Sequence, residues 1–375
     1  MEKTKSSRIS SLDGLRGVAS FVVLLHHSFL IVPALASSYY GGRGTPGTFW
    51  LNYTPLHIIW AGGEAVYVFF ILSGVVLTLL VIKRPRFNWL SYYPSRLFRL
   101  YLPVIGAVLL ALVLAIAVSR SGISGSAWLE IHDEPITLRR VIKDCLLFLG
   151  VDKLNSPLWS LRWEVLFSVL LPLYVWIARR VGRGWWVAIL VALVLTKLGA
   201  DFGEPMLAYM PMFFIGSVIA ARLDELALLS KRILGGNPVT GWAIFCASLL
   251  GLACVWWIAA FDDGPVNTLT RPVIILSGAV IVVLAIFWQP AVHALNLPVV
   301  RWLGRISFSL YLTHEPIVVT LGILLPNSPW LVPVIAIPIA LVVAWIFFYT
   351  VERPAHRLAQ LVSKRKAPSG KHARA

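Results

Sequence analysis

The amino-acid sequence predicts an all-α integral membrane protein of about ten transmembrane helices with both termini in the cytoplasm. Three observations lead there. Hydrophobic residues make up 58% of the 375 positions and charged residues only 13%, about half the charged share of a soluble domain. The apolar residues fall in runs of membrane-spanning length, at about 11–32, 56–82, 98–118, 158–178, 185–200, 206–221, 240–260, 273–288, 306–325 and 330–351. Lysines and arginines divide about three to one in favour of the segments that an inside N-terminus would place in the cytoplasm. Several runs are near the short limit for a span, so nine to eleven crossings also fit. The net charge of +16 is spread between apolar runs, which argues for a positive-inside bias and against a nucleic-acid partner. Cys145, Cys246 and Cys254 form no CxxC pair, so neither a disulfide framework nor a metal site is expected. Residues 1–355 read as one transmembrane domain, and 356–375 as a basic, disordered cytoplasmic tail lying against anionic lipid.

The first segment lacks an Ala-x-Ala exit and reads as a retained helix. Arg16 and His27 are eleven residues apart. That is about 1100° of helix, so they share a face within about 20° and lie about 16 Å apart along the axis. With Arg16 at the inner surface, His27 reaches the midplane, where an ionisable residue is a functional candidate and a neutral histidine can act as a general base. The plainer alternative is a hydrogen bond from His27 to a neighbouring helix. His26 points about 80° away. Ser10 and Asp13 have capping-box spacing, with Asp in place of the usual Glu.

In the second segment Glu64 is near the outer end, either solvated or part of a substrate site, and Ser73-Gly74 permits close helix packing. Before the third, Tyr93-Pro94-Ser95-Arg96-Leu97-Phe98-Arg99 puts Pro94 in a first helical turn and both arginines on one face. The pair reads as an anion site on a helix N-terminus or as an anchor to lipid headgroups. The long outer stretch 119–157, with Trp128, His132, Asp133 and Glu134, reads as a lid or binding loop.

The fourth segment begins Ser156-Pro157-Leu158-Trp159-Ser160-Leu161-Arg162-Trp163-Glu164, with Ser156 and Pro157 as N-cap and first helical residue. Ser160 and Glu164 share a face, and Glu164 is two turns into the membrane, where a carboxylate needs a partner. In the ninth segment His314 and Glu315 are deep, and Pro316 frees the carbonyl of Leu312. That segment is either a kinked, packed helix or a pocket wall. Val351-Glu352-Arg353-Pro354 closes the tenth as a structural terminus.

These motifs resemble those of the acyltransferase-3 family of polytopic membrane acyltransferases. A Leu-Arg-Gly followed by an apolar run to histidine matches Arg16 and His27. Phe-Phe-x-x-Ser-Gly matches Phe69 to Gly74, and Arg-x-x-Arg matches Arg96 and Arg99. Trp-Ser-Leu-x-x-Glu matches Trp159 to Glu164, and Tyr-Leu-x-His-x-Pro matches Tyr311 to Pro316. Each is weak alone; five in order on the right spans are specific.

The resemblance implies transfer of an acyl group, usually acetyl from acetyl-CoA, onto a hydroxyl of a sugar or lipid-linked glycan at a bacterial-type plasma membrane. Some members carry a fused outer esterase-like domain, which this chain is expected to lack. On that reading Arg16, Arg96 and Arg99 bind the coenzyme A phosphates. His27 is the catalytic base or the carrier of a transient acyl group. Glu164 lines the acceptor side and orients His27 or binds sugar hydroxyls, and Ser160, Trp159, Glu64 and His314 contribute to the substrate site. One continuous tunnel would join the arginines to His27. The rival from another class is a transporter or flippase for a lipid-linked sugar, which would also bury charges near the midplane. The acceptor, the acyl length and the oligomeric state are not legible.

Overall fold

The computed structural model describes residues 9–365 except 41, 43, 149 and 262–268. Every regular element among them is helical. Each of the ten apolar runs contains a helix: α1 (Ser10–Leu30), α2 (Gly62–Ile82), α3 (Trp89–Ala117), α4 (Leu158–Arg180), α5 (Trp185–Asp201), α6 (Pro205–Ala221), α7 (Pro238–Leu252), α8 (Thr270–Phe287), α9 (Pro298–Leu324) and α10 (Leu331–Phe347). α10 runs on through one wider π-helical turn, Phe348–Glu352, into α11 (Arg353–Arg365).

Six of these elements are long and apolar enough to cross a membrane: α2, α3, α4, α8, α9 and the α10 continuation. The number reaches eight if two bent pairs each count as one span: α1 with Pro33–Tyr39, bent by 109°, and α6 with Leu223–Leu234, bent by 79°. The molecule is thus a multi-pass helical membrane protein. α5 and α7, with 17 and 15 residues, extend only about 25 Å and 22 Å, short of a hydrocarbon core of about 30 Å.

α9 is the axis of the bundle. Of its apolar window 78% is buried, against 33–67% for the other five spans. α1 and α2 approach their partners across glycine. A Cβ on Gly17 would come within 2.4 Å of the Gly304 backbone nitrogen, and one on Gly304 within 2.3 Å of the Asp13 carbonyl. At the α2–α6 crossing a Cβ on Gly74 would come within 2.2 Å of the Phe213 carbonyl. Small residues let backbones touch where apolar burial alone gives no drive between helices.

Three local expectations are corrected. α3 starts at Trp89, because the Asn88 side chain accepts the Ser91 N–H; Pro94 is therefore inside the helix and Arg96 and Arg99 are not on its open N-terminus. α1 has no side-chain cap, so Ser10 and Asp13 form no capping box. The expected tail is helical through Arg365, since Ala355 and Ala359 give it a small, buried face that packs on α3. Residues 366–375 lie outside the described residues.

Candidate active site

The helices gather a cationic cavity of about 240 Å³. Arg16 enters from α1, Arg96 and Arg99 from α3, Arg305 from α9 and His356 from α11, with Ser73 of α2 on the wall. Two carboxylates are present and both are engaged. Glu164 accepts a hydrogen bond from Arg96 Nη2. Glu352 accepts from the Ser309 backbone N–H at 3.1 Å and from its hydroxyl at 2.6 Å. Four arginines against two carboxylates leave the cavity positive, and guanidinium is the side chain best shaped for phosphate oxygens. The three arginines singled out in the sequence thus meet in one place. Glu352, read as a plain terminus, lines it too.

Glu164 does not face His27. It belongs to the cationic cavity, because α3 begins early enough to bring Arg96 beside it. Helical periodicity fixes which face a residue occupies on its own helix, not which neighbour meets that face. Arg96 Nε also donates to Ser168 Oγ at 3.2 Å, so the guanidinium is held along two edges. Ser160 is in hydrogen-bond contact with the Tyr311 hydroxyl at 2.7 Å, and that hydroxyl donates to the Pro157 carbonyl at 3.1 Å.

His27 and His314 form the second half of the site. His27 Nδ1 lies 2.8 Å from His314 Nε2, and the rings stack at 5.0 Å between centroids. His314 Nδ1 lies 2.9 Å from the Leu310 carbonyl, which can only accept. His314 therefore carries its proton on Nδ1 and offers a lone pair at Nε2. His27 must donate from Nδ1, and its own Nε2 lone pair is left for chemistry. His314, expected as a substrate contact or pocket wall, is the tautomer-setting partner of His27. His26 turns the other way, its Nδ1 3.0 Å from the Trp60 carbonyl, and packs on Gly62.

The cavity stops short of His27. Above the lining residues Ser307 and Phe308 the next turn of α9 presents Tyr311, and above Ser73 the next turn of α2 presents Phe69. These two rings meet edge to face at 5.6 Å. The expected continuous tunnel is closed there. From Phe308 to His314 is six residues, about 9 Å along the axis.

The stretch between α3 and α4 covers His27 from the other side. In the short helix Ala127–Glu130 the Trp128 ring stacks on His27 at 5.4 Å. His132 Nδ1 is 3.0 Å from the Trp128 carbonyl and its Nε2 is 3.2 Å from Glu315. Glu315 also accepts from the backbone N–H and hydroxyl of Ser156. Ser156 is thus a ligand of Glu315 rather than an N-cap of α4. The Leu312 carbonyl freed by Pro316 is taken by Asn155 Nδ2 at 2.9 Å. The loop is tied down beside the histidine pair by these contacts to α9.

Trp159 packs on Tyr209 and Phe70, away from His27. Glu64 is buried and accepts from Trp256 Nε1 at 2.9 Å, because the residues after α7 bring Trp256 over the N-terminal end of α2. Arg305 and His356 of the cationic cavity, the part played by Tyr311 and the pairing of His132 with Glu315 are what sequence reasoning missed. Tyr311 lies in the same motif as His314, one turn away; His132 had no local signal for its partner. Among the described residues no cluster of His, Cys, Asp or Glu could hold a metal ion.

The acyltransferase-domain family Acyl_transf_3 matches residues 9–349. The chain is also 28% identical over 184 residues to the protein named Acyltransferase MdmB from Streptomyces mycarofaciens. That similarity covers 48% of this chain and 43% of the relative, so the chain spans less than half the length of the relative it matches. No solved structure matches the chain.

Proposed function

This chain belongs to the acyltransferase-3 family, and we propose that it moves an acyl group, acetyl in the first instance, from cytoplasmic acyl-CoA onto a hydroxyl of a cell-surface or lipid-linked glycan. The proposal includes ten crossings with both termini inside, the short helices α5 and α7 crossing a locally thinned bilayer. It places the donor in the arginine cavity, with Arg16, Arg96, Arg99 and Arg305 taking its phosphates. The acceptor reaches His27 from the opposite side.

His27 Nε2 takes the proton of the acceptor hydroxyl. The oxygen then bonds to the thioester carbon, the carbon–sulfur bond breaks, and His27 returns the proton to the departing thiolate. His314 accepts the hydrogen bond from His27, and the negative charge of the nearby Glu315 offsets the positive charge while His27 holds that proton. Tyr311 and Phe69 must part for the thioester to reach His27. Glu164 presets Arg96. The observation that carries this reading is one pair of helices: α1 and α9 bring Arg16 and Arg305 to the cavity, and His27 and His314 to each other at 2.8 Å.

Coenzyme A binding to the purified protein tests it. Binding is expected, with loss in the Arg96→Ala/Arg99→Ala double variant; a transporter of sugars would bind none. His27→Ala is expected to bind coenzyme A normally and transfer nothing. Radiolabel from acetyl-CoA is expected on the acceptor and not on the protein, which separates base catalysis from an acyl-histidine route. Full transfer by His27→Ala would end the proposal.

A further inference from the structure

Arg271, in the first turn of α8, is a cation without a matching anion among the described residues. Its Nε and Nη2 are buried and have no hydrogen-bond partner. Other arginines with an orphaned nitrogen do have some partner: Arg222 pairs with Glu225 and Arg120 donates to the Leu154 carbonyl. Arg271 instead lies over two phenol rings, 5.2 Å from Tyr67 and 5.3 Å from Tyr209. Ring faces attract the charge but accept no in-plane N–H. Nε and Nη2 form the edge of guanidinium that takes two oxygens of a carboxylate or phosphate at once.

The surroundings suit a sugar-bearing ligand. Tyr209 adjoins Trp159 at 5.1 Å, and Arg271, Tyr67, Tyr209 and Trp159 are all half-buried. They border the surface rather than a sealed core, with aromatic faces beside one cation. Glu64, one turn before Tyr67, is engaged by Trp256. On α2, Tyr67 lies six residues, about 9 Å, before Ser73 of the arginine cavity. Phe70 contacts Tyr209 while the adjacent Phe69 contacts Tyr311, which borders His314. The cluster therefore adjoins the Phe69–Tyr311 contact between the arginine cavity and the histidine pair.

We propose that Arg271, backed by Tyr67 and Tyr209, binds an oxyanion of the acyl acceptor, a phosphate or a carboxylate, through its Nε–Nη2 edge. Calling the ligand the acceptor rests on the acyltransferase reading; the oxyanion site itself does not. Rotation of the half-buried Tyr209 ring uncovers that edge.

The test uses the full chain in nanodiscs, titrated with farnesyl phosphate, glucuronate and neutral octyl glucoside, with coenzyme A titrated in parallel. At least one of the two oxyanions is expected to bind. Farnesyl phosphate identifies a lipid phosphate and glucuronate an acidic sugar. Arg271→Gln is expected to weaken that binding at least tenfold, and Arg271→Lys several-fold, because an ammonium lacks the two-nitrogen edge. Coenzyme A affinity should be unchanged in both variants, which reports an intact fold. If Arg271→Gln loses coenzyme A binding, the comparison rests on Arg271→Lys. Absence of binding by either oxyanion to the wild type overturns the site. So does equal affinity in the variants, or an equal loss for octyl glucoside. Oxyanion binding that depends on Arg271 without any coenzyme A binding would leave the site standing and sink the acyltransferase reading.

Discussion

Replacing His314 by leucine should slow acyl transfer without touching the donor site. The hydrogen bond at 2.8 Å from His27 Nδ1 to His314 Nε2 holds the tautomer that leaves His27 Nε2 unprotonated. A hydrogen bond of this kind is worth about 1 kcal/mol net, and an unsatisfied buried donor costs about 1–3 kcal/mol. Taking about 2 kcal/mol as the preference lost, the ratio of the competent to the other tautomer falls about thirtyfold, since each 1.36 kcal/mol is tenfold, and that factor is the upper limit of the loss in rate. His27→Ala removes the base altogether, a loss of about 10²–10⁴. Glutamine at 314 retains an oxygen acceptor for His27 Nδ1 and should recover part of the rate. The expected order is wild type, His314→Gln, His314→Leu, His27→Ala. The assay is the initial rate of transfer from radiolabelled acetyl-CoA to acceptor in membranes, with coenzyme A affinity measured separately. A wild-type rate in His314→Leu would refute the reasoning. So would a loss as deep as that of His27→Ala with no recovery by glutamine, which would make His314 the base.

Glu164→Gln should alter the KM for acyl-CoA and leave kcat nearly unchanged, because Glu164 holds Arg96 rather than His27; a fall in kcat at constant KM would return Glu164 to the acceptor side. Tyr311→Leu should admit longer acyl chains, read as the ratio of butyryl to acetyl transfer, while Tyr311→Phe keeps the ring and the acetyl preference; an unchanged ratio in the leucine variant would count against closure by this ring. Asp144, in the short helix Leu138–Leu146 between α3 and α4, has its carboxyl pushed up to about 7, chiefly by burial, with the charge of Asp152 adding to it. The native carboxyl keeps a proton that the unfolded chain releases above about pH 4, so stability falls as pH rises from about 4 to about 7 and then levels off, by up to a few kcal/mol. Asp144→Asn lacks that loss, and its melting-temperature advantage should grow from pH 5 to pH 8; a constant difference would exclude the linkage.

What could be read from the sequence was what depends on one helix at a time. The shared face of Arg16 and His27, the turn of His26 away from it and the carbonyl freed at Leu312 follow from 3.6-residue periodicity and the missing N–H of proline. Partners across the bundle did not follow. His27 and His314 are 287 residues apart in sequence and Arg96 and Glu164 are 68 apart, and nothing local states that those faces meet. α3 was misplaced because Pro94 is a strong first-turn signal, whereas the operative cap, Asn88, precedes an aromatic stretch that does not look like a span. The helical course of 356–365 was hidden by its charge, since the apolar stripe that docks it is made of small alanines.

The edge-to-face contact of Tyr311 with Phe69 has an electrical consequence. On the proposed reading, with one reactant from each aqueous compartment, the chain must not become a hole, since at 100 mV each unit charge that leaks through releases about 2.3 kcal/mol of stored energy. Two rings, one carrying a hydroxyl anchored to Pro157, form a low-dielectric partition between the arginine cavity and the histidine pair. On that reading, ions drawn to the guanidinium-rich vestibule are expected to stop at the rings, short of the imidazoles beyond.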